Sequence, residues 1–127
     1  MDVSGFSDTI GPGTKALARV TGAPASFTVA EAALESGWGS SQLACQGKNL
    51  LGVKADSSWH GDVLVLNTRE FLHATWVMVP ARWQKYAGWQ ACMDDHAAFW
   101  HQQGDRTYGP CGWSCGSSAC VGLYWML

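Results

Sequence analysis

Charge is what this chain has least of: 8 Lys and Arg and 10 Asp and Glu among 127 residues, 14% in all, leave a formal net charge of −2. A protein that grips nucleic acid through its phosphates needs a strongly positive surface, so a nucleic-acid partner is not expected. Long hydrophobic runs are missing too. Nowhere do roughly 20 apolar residues follow one another, the length a membrane helix needs, and no transmembrane segment is expected. Met1 to Phe6 carries no basic stretch leading into an apolar run, so no secretion signal is expected either. Paired cysteine doublets are absent: Cys45, Cys92, Cys111, Cys115 and Cys120 are odd in number and none follows a CxxC spacing. At least one of the five is therefore expected to be free or intermolecular, the others unpaired or opportunistically paired, and a structural zinc site in the last seventeen residues lacks its fourth ligand.

What is present is apolar mass. Hydrophobic residues make up 47% of the chain, enough to bury a core, and 127 residues suit one domain spanning 1–127. Eight tryptophans exceed what a core requires. An indole buries much area and keeps one N–H for a polar partner, which suits a core and a sugar-binding groove equally.

Residues 1–14 are rich in Gly, Ser, Asp and Pro, and Gly11-Pro12-Gly13-Thr14 reads as a turn. Thr14 is expected to cap a short helix over Lys15–Val20, stopped near Thr21-Gly22-Ala23-Pro24. Gly11 to Lys15 has the wrong spacing for a phosphate loop. From Ser26 the three-and-four spacing of Phe27, Ala30, Leu34 and Trp38 predicts a helix that buries this face and ends at Gly37 to Gly39. Glu31 and Glu35 lie four apart on it and repel unless one is neutral or separately partnered. Gln42 to Cys45 adds a turn before Gly47, and Asn49 to Lys54 is expected to be extended or a single turn.

Asp56-Ser57-Ser58 reads as a loop. Val63–Thr68 and Thr75–Val79 are β-rich runs separated by a polar stretch, an antiparallel hairpin whose second strand should stop at Pro80. Trp89 to Gln103 returns to helix, with Cys92, His96, Phe99 and Trp100 expected inside and Asp94, Asp95, Gln102 and Gln103 outside. Helix, hairpin, helix is an α+β order.

Glycoside hydrolysis needs a carboxylic acid kept protonated by apolar surroundings, so that it can hand its proton to the leaving oxygen. Glu35 has that setting: it follows Ala32-Ala33-Leu34 and precedes Ser36-Gly37-Trp38-Gly39, where small residues leave room for a substrate. The same position would also suit an ordinary solvated glutamate.

Ala32-Ala33-Leu34-Glu35-Ser36-Gly37-Trp38-Gly39 followed by Asn49-Leu50-Leu51-Gly52-Val53-Lys54-Ala55 resembles the glucosaminidase domain of bacterial peptidoglycan hydrolases, glycoside hydrolase family 73, found in flagellar rod hydrolases, autolysins and phage lysins. The resemblance runs from about Gly22 to Tyr108, through Trp59-His60-Gly61, Thr68-Arg69-Glu70, Ala81-Arg82-Trp83-Gln84-Lys85-Tyr86 and Arg106-Thr107-Tyr108. It implies a lysozyme-like α+β fold with a helical lobe, a small β-hairpin lobe and a glycan groove between them. It further implies cleavage of the β-1,4 bond after N-acetylglucosamine, with peptidoglycan glycan as partner, no cofactor and no metal, by a chain expected to be a monomer. Glu35 matches the general acid, and Glu70 the second carboxylate, as base toward water or as a stabiliser of the charged transition state. Tyr86 matches a tyrosine that steadies the sugar at the cleaved bond, or is a buried tyrosine satisfied by backbone.

Trp38, Trp59, Trp83 and Trp89 are candidate groove walls, with Trp59 and Trp89 expected to stack on sugar and Trp38 and Trp83 to support the core. Asn49 and Lys54 either hold loop geometry or contact the glycan. Leu51 and Trp83 stand where the family more usually has Phe, and Gly109 to Leu127 does not read as the helical segment with which the family continues. A diverged ending, a frame-shifted one and a truncation all fit that tail. With no secretion signal expected, the cell wall would be reached by a flagellar, phage-lysis or other non-classical route, or within a larger assembly.

Other functions find less support. A lysozyme-like module that binds glycan without cutting it, or an inactive truncated product, is the alternative. Metal-dependent hydrolysis through His60, His73, His96 and His101 with Asp94 and Asp95 lacks a recognised ligand spacing. An amidase would need a nucleophile or metal set that the sequence does not display.

Overall fold

The computed structural model describes residues 2–102, with side chains through Phe99. Helix α1, Val3–Thr21, comes first, then α2, Ala25–Ser36, and the short α3, Gln42–Gln46. Strands β1, Val63–Leu72, and β2, Thr75–Gln84, follow, and α4, Trp89–Gln102, comes last. The expected tail beyond Gln102 and its three cysteines lie outside the described residues, as do the expectations for Gln103 and for the side chains of Trp100, His101 and Gln102.

α1 corrects the reading of the first fourteen residues. One helix runs through Pro12, started by Asp2, whose carboxylate accepts from the Gly5 N–H at 2.7 Å. Thr14 is not a cap; it lies inside the helix and its hydroxyl donates to Gly11 O. Proline removes one helical hydrogen bond, but Phe6, Ile10, Gly13, Thr14 and Leu17 recur at helical spacing and are all buried. Burial of that stripe outweighs the local propensity for a turn. The expected stop holds: Gly22 is left-handed and its N–H donates to Ala18 O.

α1 packs against both α2 and α4. The core they enclose contains Phe6, Ile10, Ala32, Ala33, Leu50, Leu51, Cys92 and Met93, with Ala44 of α3 and Tyr86 joining it. α2 keeps its expected end but not its expected face. Thr28, Ala32, Ala33 and Ser36 are buried, whereas Phe27 and Ala30 are exposed and Leu34 is 79% exposed. Small residues let α1 approach closely, so the inward face is the one that is small, and the bulky residues are left outside. α4 departs in the same way at two positions: Phe99 is exposed, and Asp95 turns inward to a partner described below.

The hairpin is longer than its two β-rich runs. β1 and β2 pair antiparallel without a slip from Leu72↔Thr75 to Val63↔Gln84, passing through Asn67↔Pro80. Both strands are edges in a two-stranded sheet, so a residue without an N–H can take an outward-facing position and Pro80 does not end β2. The turn is just His73-Ala74, both at positive φ, +50° and +61°, the backbone hand of a type I′ turn. One hairpin face, including Leu64, Leu66, Thr68, Glu70, Val77, Val79 and Trp83, is half-buried; the other exposes Val65, Arg69, Phe71, Trp76 and Met78. The segment after α3 ties the hairpin to the helices: Ala55 N–H donates to Arg82 O, Gln84 N–H to Val53 O, and Tyr86 N–H to Gly47 O.

Candidate active site

The last turn of α2 is built to hold one carboxylate against a bend. Gly37, Trp38 and Gly39 all have positive φ, +56°, +56° and +76°. Trp38 N–H donates to Ala33 O at 2.8 Å, Gly39 N–H to Ser36 Oγ at 2.8 Å, and Ser41 N–H to Ser36 O at 2.9 Å. Gly39 has a second reason to lack a side chain, since a Cβ there would lie 2.5 Å from the Trp89 ring. The bend after Glu35 therefore seats Gly39 against Trp89, the first residue of α4.

Glu35 is half-buried, and that burial raises its carboxyl above the ordinary range. It also lies at the carboxyl end of its helix, where the dipole is negative and α2 offers no basic residue, so the ionised form gains nothing there. Glu31, one turn earlier, is raised by its own burial first and by the charge of Glu35 second. The four-residue spacing of Glu31 and Glu35 is the signal in the sequence that marks this pair, although Glu31 carries no expected role there. Among the described residues neither carboxylate has a salt bridge.

Glu70 sits on the half-buried face of β1, opposite Val77. Its carboxylate meets the Lys54 ammonium at 3.0 Å, both side chains being little more than one-third exposed. Lys54 also stands 5.6 Å from the centre of the Trp83 ring and bridges Trp83 through its backbone. Trp83 is thus part of the Glu70 surroundings and not of the helical core.

Tyr86 is 8% exposed. Its hydroxyl lies 2.8 Å from Asp95 Oδ2 and also within reach of Gln84 Oε1, and Trp59 packs edge-on against its ring at 5.4 Å. Burial first, and the bond to Asp95 second, push the phenol well above its ordinary range. It remains a neutral donor. Asn49, 1% exposed, donates to Val53 O and Gln84 O, both at 2.9 Å, and accepts from the Val53 N–H at 3.1 Å. Of its two readings, loop geometry is the one its contacts serve.

The tryptophans sort differently from expectation. Trp38, three residues after Glu35, is 40% exposed, with its ring edge-on to Phe6 at 5.7 Å. Trp89 packs on Phe6 at 5.6 Å and donates its indole N–H to Ala44 O, and Trp59 donates to Asp62 O. Trp59 and Trp89 are therefore wedged against the core, each with its polar handle used. A shallow concavity between α1 and α4, lined by Thr9, Ile10, Lys48, Trp89 and Met93, contains none of Glu35, Glu70 and Tyr86. The carboxylates instead stand on separate elements, Glu35 on the helical lobe and Glu70 on the hairpin. Among the described residues no three His, Cys, Asp or Glu gather as metal ligands, and no helix is long and apolar enough to cross a membrane.

Comparison with known proteins adds the context. A glucosaminidase family model, described as mannosyl-glycoprotein endo-beta-N-acetylglucosaminidase, matches residues 11–117. The chain is 33% identical over 97 residues to the peptidoglycan hydrolase FlgJ of Vibrio parahaemolyticus, covering 74% of this chain and 32% of that protein. It is 39% identical over 72 residues to the exo-glucosaminidase LytG of Bacillus subtilis, covering 57% of this chain and 25% of that protein. Its fold matches a C-terminally truncated glycoside hydrolase domain of Salmonella typhimurium FlgJ with a TM-score of 0.61 and 28% identity, over 77% of this chain and 68% of the other. The chain spans about a third or less of the length of these curated relatives.

Proposed function

The chain belongs to the glucosaminidase family, and from that membership we propose that it hydrolyses the β-1,4 bond after N-acetylglucosamine in bacterial cell-wall glycan, with Glu35 as general acid. The observation that carries this reading is the setting of Glu35: a half-buried carboxyl with raised proton affinity, at the negative end of α2, three residues before an exposed tryptophan. A carboxyl so placed keeps its proton nearer to neutral pH and can deliver it to the glycosidic oxygen as the bond breaks. Trp38 offers a flat apolar face to the sugar next to that bond.

As the bond opens, positive charge develops on the sugar ring. Glu70 supports the reading as an oriented anion, held by Lys54, that faces this charge or activates water. Tyr86 acts from within: its hydroxyl joins Gln84 and Asp95, and so fixes the strand end next to α4. The low overall charge suits a polymer of largely neutral sugars.

The test uses purified sacculi and mass spectrometry of the released fragments. New reducing ends on N-acetylglucosamine are expected, and Glu35→Gln should lower their release by about 100-fold or more while still binding sacculi. Release by Glu35→Gln at the wild-type rate would remove Glu35 from the reaction. Binding without any release by the wild-type chain would favour the non-cutting module.

A further inference from the structure

Glu31 has no part in the chemistry outlined above, yet it occupies a distinctive place. It lies four residues before Glu35 on α2, so the two side chains share one helix face, with Cβ atoms about 5–6 Å apart. Both are half-buried. α1 is the helix packed along α2; its charged residues, Asp8, Lys15 and Arg19, and its N-cap Asp2 are all exposed, and none ion-pairs with either glutamate. α2 carries no other titratable side chain. Among the described residues the one salt-bridged ammonium, that of Lys54, is engaged by Glu70. Two carboxylates one turn apart, neither salt-bridged among the described residues, resist losing both protons, and such a pair titrates in two coupled steps.

Resting on the assignment of Glu35 as the acid, we propose that Glu31 is a positioning residue for the reaction: its carboxylate and that of Glu35 hold one proton between them, which keeps a proton available to Glu35 at pH values where a solitary glutamate would have lost it. The direction agrees with the charge effect of Glu35 on Glu31, and coupling of this kind acts equally on both partners. The step balances simply: the proton leaves Glu35 for the glycosidic oxygen, and the ionised pair regains one from solvent before the next cycle.

The experiment is the pH profile of reducing-end release from sacculi at subsaturating substrate, for the full chain and for Glu31→Gln and Glu31→Asp, each normalised to its own maximum. Removing the neighbouring negative charge should move the alkaline limb of Glu31→Gln down by about 0.5–1 pH unit, a roughly 3–10-fold relative loss above the limb. Glu31→Asp, which keeps the charge, should stay closer to wild type. A purely structural role would lower the rate at all pH values and leave the limb in place, so superimposable profiles for wild type and Glu31→Gln overturn the proposal. Should Glu31→Gln fold poorly, the carboxyl ¹³C shifts of Glu31 and Glu35 in the wild-type chain provide the same test: two coupled steps support the pair, and two independent single-site curves overturn it. A Glu35→Gln variant that retains activity would count against the acid assignment itself, and the ¹³C titration distinguishes that failure from this one.

Discussion

Single residues in this protein carry most meaning where their hydrogen bonds are fully accounted for. Asn49 spends both amide hydrogens and its carbonyl on Val53 and Gln84, and so joins the loop after α3 to the end of β2. Asn49→Ala would strand those buried backbone groups, and we expect it to lower unfolding free energy by about 2–4 kcal/mol in urea titrations. A residue that contacted glycan would instead raise KM in a normally stable protein. The sequence motif identified Asn49 but could not choose between these roles, because the choice depends on Gln84, 35 residues away. Glu35 was more legible. Its small neighbours and the following Gly37 and Gly39 are local features, and the structure gives each a local cause in the left-handed bend.

Elements show how tertiary burial overrides local preference. The Gly-Pro-Gly segment reads as a turn, yet it is helical because Phe6, Ile10 and Leu17 need a continuous face. The apolar stripe of α2 reads as a core face, yet Ala32 and Ala33 and not the bulky residues point inward. The hairpin was recognisable from its β-branched runs, but its turn was not, since His73-Ala74 lacks the Asn or Gly such turns prefer. A residue with a Cβ, such as Ala74, is strained at positive φ, whereas glycine is not. Ala74→Gly is therefore expected to raise stability by about 1 kcal/mol, and the melting temperature by roughly 3–5 °C. A fall in melting temperature would show that the turn does not carry this strain.

At the scale of the whole molecule, burial links pH to stability through two opposing groups. His96, half-buried on α4, is held down to about 4 by burial, against a weaker pull upward from Asp95. Between its ordinary value of 6.5 and that value the unfolded chain binds more protons than the folded one, so stability is present above pH 6.5 and is lost as pH falls toward 4. Glu31 and Glu35 act the other way: with proton affinities raised by folding, they contribute stability below 4.5 that is lost as pH rises through their folded values. His96→Gln should thus lose less stability than wild type when melting is compared at pH 6.5 and pH 4, the difference being at most about 1.4 kcal/mol per pH unit. Equal losses in the two proteins would show that His96 titrates freely in the folded state.

The sequence by itself determined the order of helices and hairpin, the family, and the acid-bearing motif, because each of these rests on residues close together in the chain: a glycine bend, an alternating strand, a three-and-four spacing. The tertiary structure alone decided which face of α2 is buried, that α1 runs through Pro12, that Trp38 and not Trp89 faces solvent, and that Lys54 and Asp95 are the partners of Glu70 and Tyr86. Those outcomes depend on what packs against a residue from elsewhere in the chain. Spacing along the sequence records which residues share a face, but burial and pairing are settled only when another element comes to cover it.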